Sequence, residues 1–129
     1  MRPYIPLVDD SLVIQAAATK TADFNGDWLD LGAGFQAQAL GQLMAAVVPV
    51  TALDLADTNE TYTLKIQQAP ADASGVADTA NITDAGPVTP VTATGIAVVK
   101  AIIAERFIQL VLDVGGTTPS ITYSGKMGR

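Results

Sequence analysis

The side chains of this chain that could do chemistry lie in three places. Trp28-Leu29-Asp30-Leu31-Gly32-Ala33-Gly34 has the form of a strand running into a glycine-rich turn, and Asp54 follows near the distance at which a nucleotide-binding fold places its ribose-binding carboxylate. Glycines there would let backbone amides approach a cofactor closely. The pattern fails at Gln36, which stands where its next glycine belongs, and the strand-helix alternation needed for a parallel sheet does not follow. Asp23-Phe24-Asn25-Gly26-Asp27 offers oxygen ligands at alternate positions, as the start of a calcium loop does. Trp28 occupies the place of that loop's glycine, and Gly34 that of its closing glutamate, so a polar turn is the better account. Asp54, Asp57, Asn59 and Glu60 form a second acidic turn, an exposed loop first and a cation site second.

Nucleophilic catalysis has little to work with. Ser74 and Ser124 lie in no nucleophile-elbow pattern, and the sequence contains neither histidine nor cysteine. The commonest general base, the commonest nitrogen ligand for zinc, thiolate metal sites and disulfides are all excluded. The expectation is a protein that is not an enzyme and carries no cofactor and no metal.

The elements that must position these residues read as β-structure. A chain of 129 residues fits one domain with a self-sufficient core. Ala, Val, Thr, Gly and Asp are abundant, while Glu and Lys, which usually fill the exposed sides of helices, are scarce. The formal charge of −6 comes from thirteen acidic and seven basic residues with no block of either sign, which argues against direct contact with nucleic acid. Pro3 and Pro6 stand where a signal peptide would have its apolar run, and no apolar stretch approaches the roughly 20 residues that span a bilayer. A soluble chain made in the cytosol, with a protein partner and no membrane, is the expectation.

The organising stretch is Arg106-Phe107-Ile108-Gln109-Leu110-Val111-Leu112-Asp113-Val114. At period two, Ile108, Leu110, Leu112 and Val114 share a core face, while Phe107, Gln109, Val111 and Asp113 share a face too apolar to meet only water. Gly115-Gly116 then predicts a hairpin into Ser120-Ile121-Thr122-Tyr123. Residues 1–10 read as an extended N-terminal arm, held by two prolines and bearing apolar Tyr4, Ile5 and Leu7, and residues 11–129 as the β-domain. Within it, strands are expected at residues 12–18, 27–31, 47–55, 61–68 and 96–104, with Pro49 marking a sheet edge or a bulge. Tyr62, Leu64 and Ile66 should face in. Residues 32–46, whose stretch 35–46 leans helical but is interrupted by Gly41, read as a loop with at most one helical turn. Residues 69–95 read as a long excursion with short strands at 81–83 and 88–91. Together these make an all-β antiparallel sandwich or jelly roll.

Val50-Thr51-Ala52-Leu53-Asp54, Asn59-Glu60-Thr61-Tyr62-Thr63-Leu64, Arg106-Phe107-Ile108-Gln109-Leu110 and Gly115-Gly116-Thr117-Thr118-Pro119-Ser120-Ile121 resemble the small capsid cement, or decoration, proteins of tailed bacteriophages. The likeness spans roughly residues 12–124 in strand and turn phrases. It implies a β-sandwich or jelly-roll subunit, a homotrimer on the outer capsid surface of the virion, and the major capsid protein as partner. The residues expected to bind partners are Tyr4, Ile5, Leu7, Phe107 and Val111. The alternative is a non-catalytic carbohydrate- or ligand-binding β-sandwich module.

Overall fold

The computed structural model describes residues 8–32 and 41–128, the first four of them by backbone alone. Among these residues are ten strands and no helix: β1 (Val8–Lys20), β2 (Phe24–Asn25), β3 (Leu29–Asp30), β4 (Gln42–Leu53), β5 (Thr61–Ala69), β6 (Thr83–Asp84), β7 (Thr89–Pro90), β8 (Gly95–Ile103), β9 (Phe107–Gly115) and β10 (Ile121–Gly128). They form two antiparallel sheets. The four-stranded sheet has the order β1-β10-β4-β8, and the six-stranded sheet runs β2-β9-β5-β6, with β3 also on β9 and β7 also on β5.

The expected central strand is central. β9 pairs with β5 from Thr61↔Gly115 to Ala69↔Phe107, and its other edge takes β2 and β3. Ile108, Leu110 and Leu112 are wholly buried and meet Tyr62, Leu64 and Ile66 of β5 in the core, with Met44, Val48, Ile121 and Met127 supplied from the other sheet. The period-two reading of β5 and β9 thus describes the inner face of this sheet.

The expected hairpin after β9 is not formed. β10 belongs to the opposite sheet, so residues 116–120 arch across the core edge instead of folding β10 back on β9. The glycine pair signals a reversal equally well for either geometry. What decides is apolar area, because Ile121, Tyr123 and Met127 are all buried only if β10 fills the middle of the four-stranded sheet. Only Gly116 of the pair uses a left-handed backbone, at φ 101°, and a Cβ there would crowd the Asn59 carbonyl oxygen at 2.6 Å. The arch therefore packs directly on the turn before β5.

Other boundaries moved for related reasons. Residues 42–46, expected in a loop, begin β4, where Met44, Ala45 and Ala46 are buried in register with Ala101, Lys100 and Val99. Pro49 lies in an interior strand, not at an edge. It stands opposite Ile96, and two residues on, the β4–β10 register slips by one between Ala52 and Val50, which is the bulge alternative. Phe24 and Asn25, expected in a turn, form β2, and the strand expected at residues 27–31 is only Leu29–Asp30. The expected short strands of the excursion appear as Thr83–Asp84 and Thr89–Pro90. β1 begins at Val8 and so takes three residues from the expected arm, while residues 1–7 and 33–40 lie outside the described residues.

Candidate functional site

Each acidic turn is used as a structural joint. The Asp23 carboxylate accepts the Val114 amide at 2.8 Å, tying the β1–β2 corner to the end of β9. Asp54 accepts the Ala56 amide at 2.9 Å, Asp57 accepts the Thr118 hydroxyl at 2.8 Å, and Glu60 accepts the Asp57 amide at 3.0 Å. These are Asx-type and loop-bracing bonds, in which a short polar side chain satisfies nearby backbone donors. Among the described residues, no group of three or more acidic side chains could hold a metal ion. The glycine turn at Gly32 is likewise a joint. Its amide bonds to Asp30, the Leu31 amide bonds to the Arg106 carbonyl, and Arg106 grips the Asp30 carboxylate.

The outer face of the six-stranded sheet is a polar network. Gln109 donates to Gln67 at 2.9 Å, Gln67 donates to Asp84 at 3.1 Å, and Lys65 lies 3.4 Å from the same Asp84 carboxylate. The Gln67 hydrogen bond, then the Lys65 charge, holds the Asp84 carboxyl below its usual range. Phe107 lies under the Arg106 guanidinium, 5.0 Å from its ring centroid. Phe107 and Val111 are accordingly only 6% and 5% exposed in the single chain. The expectation that this face would leave them uncovered in a lone subunit is corrected: both are buried, Phe107 with the Arg106 guanidinium over its ring. Tyr4, Ile5 and Leu7 lie outside the described residues.

The uncovered apolar surface is on the other sheet. Strand alternation turns Met44, Ala46, Val48 and Val50 of β4 inward, and so turns Leu43, Val47 and Pro49 outward. The same alternation in β8 buries Val99, Ala101 and Ile103 and leaves Ile96, Val98 and Ile102 on the outer side. The pairs Leu43↔Ile102, Val47↔Val98 and Pro49↔Ile96 put these side chains next to one another across the ladder. Leu43, Ile96 and Ile102 are exposed by 52%, 71% and 53%. On the described part of this face the charged side chains are Lys100 on β8 and Lys126 on β10, both positive.

This surface carries a signal in the sequence. In Gly95-Ile96-Ala97-Val98-Val99-Lys100-Ala101-Ile102-Ile103 both alternating sets are apolar, which marks a strand with a second face to cover. Only the tertiary position of β8, at the edge of the four-stranded sheet, separates the core set from the exposed one.

No protein-family model, curated protein or solved structure matches the chain. Among the described residues, no helix is long and apolar enough to cross a membrane.

Proposed function

We propose that this chain is a non-catalytic structural protein that decorates a bacteriophage capsid and stabilises it by bridging major capsid protein subunits on the outer surface of the virion. The observation that carries the reading is the apolar outer face of the four-stranded sheet, centred on Val47, Ile96 and Val98, in a chain whose candidate chemical groups serve as loop joints. A cement protein needs area rather than reactivity. Each copy contributes a modest interface across a seam, and many copies share the load. Contiguous exposed apolar surface of this kind is characteristic of protein interaction sites. The homotrimer and the N-terminal arm, residues 1–10, belong to the same reading.

The sandwich is further read as a jelly roll. Taking β2 with β3 and β6 with β7 as single strands leaves eight, ordered first-eighth-third-sixth in one sheet and second-seventh-fourth-fifth in the other. Two nested Greek keys give that order.

The competing reading, a carbohydrate- or ligand-binding module, finds less support. The hollows beside Trp28 and beside Ile102 hold about 220 and 210 Å³. Sites for small ligands usually hold roughly 300–1,000 Å³.

The test adds wild-type protein and Ile96→Asp to undecorated capsids and measures occupancy and the temperature at which the shells release DNA. Ile96 is mostly solvent-exposed, so the fold survives the change. Losing one large apolar contact and desolvating a carboxylate lowers affinity at least about tenfold, with a matching loss of thermal protection. Equal occupancy by the two proteins would remove this face from the attachment site.

A further inference from the structure

One edge of the four-stranded sheet is β8, and its contacts fix which way its backbone groups point. The Ile102 amide donates away from β4, to the Ala85 carbonyl at 2.9 Å, and β8 keeps unbroken register with β4 from Gly95 to Ile103. Backbone groups alternate sides along a strand, so the amides and carbonyls of Ile96 and Val98 also point away from β4. Pro49 agrees with this, since it has no amide and stands opposite Ile96. From Lys100 onward the edge is covered by Ala85 and Gly86, where a Cβ on Gly86 would collide with the Lys100 carbonyl oxygen. Before Lys100, nothing among the described residues pairs with the edge. The loop from Val91 to Thr94 stands off from it, leaving a hollow of about 250 Å³ against Ile96 and Ala97.

The other sheet edges are guarded and this one is not. Folded proteins blunt exposed edges with short strands, bulges, prolines or charges, because unpaired backbone groups otherwise recruit another strand. The six-stranded sheet ends in β2, β3, β6 and β7, which are two residues each, and Pro90 lies in the last of them. At the far edge of the four-stranded sheet, the register of β1 against β10 slips at three places. The free part of β8, Gly95-Ile96-Ala97-Val98-Val99, has no bulge, no proline and no charge, and it carries Ile96 at 71% exposure.

We infer that this edge pairs with the same edge of a second copy, β8 against β8, antiparallel about a two-fold axis at Ala97. Ile96 of each copy then stands opposite Val98 of the other, and each such pair exchanges both of its backbone bonds, so the free groups of the stretch are all used. The same step sets Ile96 and Val98 of the two copies side by side on the outer face, one apolar cluster across the joint. The occupant is selected by where the edge stops. One step beyond Val98, the cover at Gly86 meets the strand, and there the second copy has reached Thr94, where its own β8 has ended. A longer strand of another protein would run into that cover. The register also keeps the two Lys100 at opposite ends of the joint, so no like charges face each other. A two-fold contact is not the interface of a homotrimer, so the inference goes beyond the proposed function and does not rest on it.

Val98→Pro tests it while sparing the bonds between β8 and β4, because the amide it removes points away from β4. Sedimentation velocity at micromolar concentration is expected to give wild type twice the mass of Val98→Pro, whatever assembly the other surfaces make. Ile96→Lys, at an exposed position, replaces the proline variant if that one melts below wild type. The register has its own readout in a chain without native cysteine. Ala97→Cys sets two thiols at a non-hydrogen-bonded pair, about 4.5 Å between Cα atoms and within reach of a disulfide, whereas Ile102→Cys sets them roughly 33 Å apart. Oxidation with diamide is expected to join Ala97→Cys into covalent dimers and to leave Ile102→Cys as single chains. Equal masses for wild type and the edge variant, or Ala97→Cys that cross-links no better than Ile102→Cys, would each overturn the inference. Wild-type binding to undecorated capsids is scored separately. A doubled mass without capsid binding defeats the capsid reading alone, and capsid binding without a doubled mass defeats this inference alone.

Discussion

The Tyr62 hydroxyl accepts the Ser120 amide at 2.9 Å and donates to the Asp54 carbonyl at 2.6 Å, so one buried phenol ties together two of the places where the chain crosses between sheets. Asp54 opens the crossing from β4 to β5, and Ser120 ends the arch from β9 to β10. The Asp54 amide completes the joint by donating to the Ser120 carbonyl at 2.9 Å.

Tyr62→Phe leaves the ring in the core but strands a buried amide and a carbonyl that the phenol satisfied. The expected cost is about 1–3 kcal/mol. Urea unfolding measures it, with circular dichroism showing unchanged strand content. A variant as stable as wild type would mean that water or a neighbouring group takes over both bonds.

Leu110→Ala removes a side chain with no solvent exposure from the middle of β9, and its carbonyl also receives the Gly26 amide at 2.9 Å. Packing from both sheets leaves little room for the neighbours to collapse into the gap. The expected loss is about 2–5 kcal/mol. An unchanged melting temperature would show that Leu110 does not face the core.

What could be read from the sequence follows the range of the signals. Alternation in residues 61–68 and 107–114 is local, and it gave the inward sets Tyr62, Leu64, Ile66 and Ile108, Leu110, Leu112 correctly. The partner of β10 is not local: Gly115-Gly116 is compatible with a hairpin or an arch, and the choice rests on burial of Ile121 and Tyr123 in the far sheet. Phe107 and Val111 were legible as apolar but not as covered, because the Arg106 guanidinium over Phe107 is held by Asp30, and Val111 stands in register between Asn25 and Lys65, all far away in sequence. Leu43 and Ile102 were missed for the converse reason. Nothing local distinguishes them from core residues until β4 and β8 are paired at a sheet edge.

The Asp30–Arg106 pair gives a pH-dependent prediction. Arg106 bonds both carboxylate oxygens, at 2.6 and 2.7 Å, and this bond first, then the Gly32 amide, holds the Asp30 carboxyl below its ordinary range. A carboxylate with a lowered folded pKa stabilises above its unfolded value, about 4, and that contribution is lost as pH falls through the lower folded value. Asp30→Asn is therefore expected to lower the melting temperature slightly at pH 7, with the gap to wild type closing as pH falls below about 4. Added salt should narrow the gap at pH 7, because the pair is solvent-exposed. A gap that stays constant from neutral to acid would assign the effect to the side chain's packing and not to its charge.

The last prediction concerns a hydroxyl with no partner. Tyr123 is 1% exposed on the inner face of β10, its Oη makes no hydrogen bond, and burial pushes its pKa up to about 12. A buried unsatisfied hydroxyl costs stability, so Tyr123→Phe, which keeps the ring and deletes the oxygen, is expected to stabilise by about 1–2 kcal/mol and raise the melting temperature by a few degrees. Its pH dependence has a definite sign. In the unfolded chain the phenol releases its proton near pH 10, whereas the folded chain keeps it to about 12. The native state therefore binds more protons between these values, and wild type loses stability as pH rises through them. The phenylalanine variant lacks this loss, so its advantage should widen from pH 10 upward. Urea titrations of both proteins at neutral pH and across that alkaline range measure it. A difference that stays flat through the alkaline range would mean that the Tyr123 hydroxyl is hydrated in the native state, and the neutral-pH gain should then be absent as well.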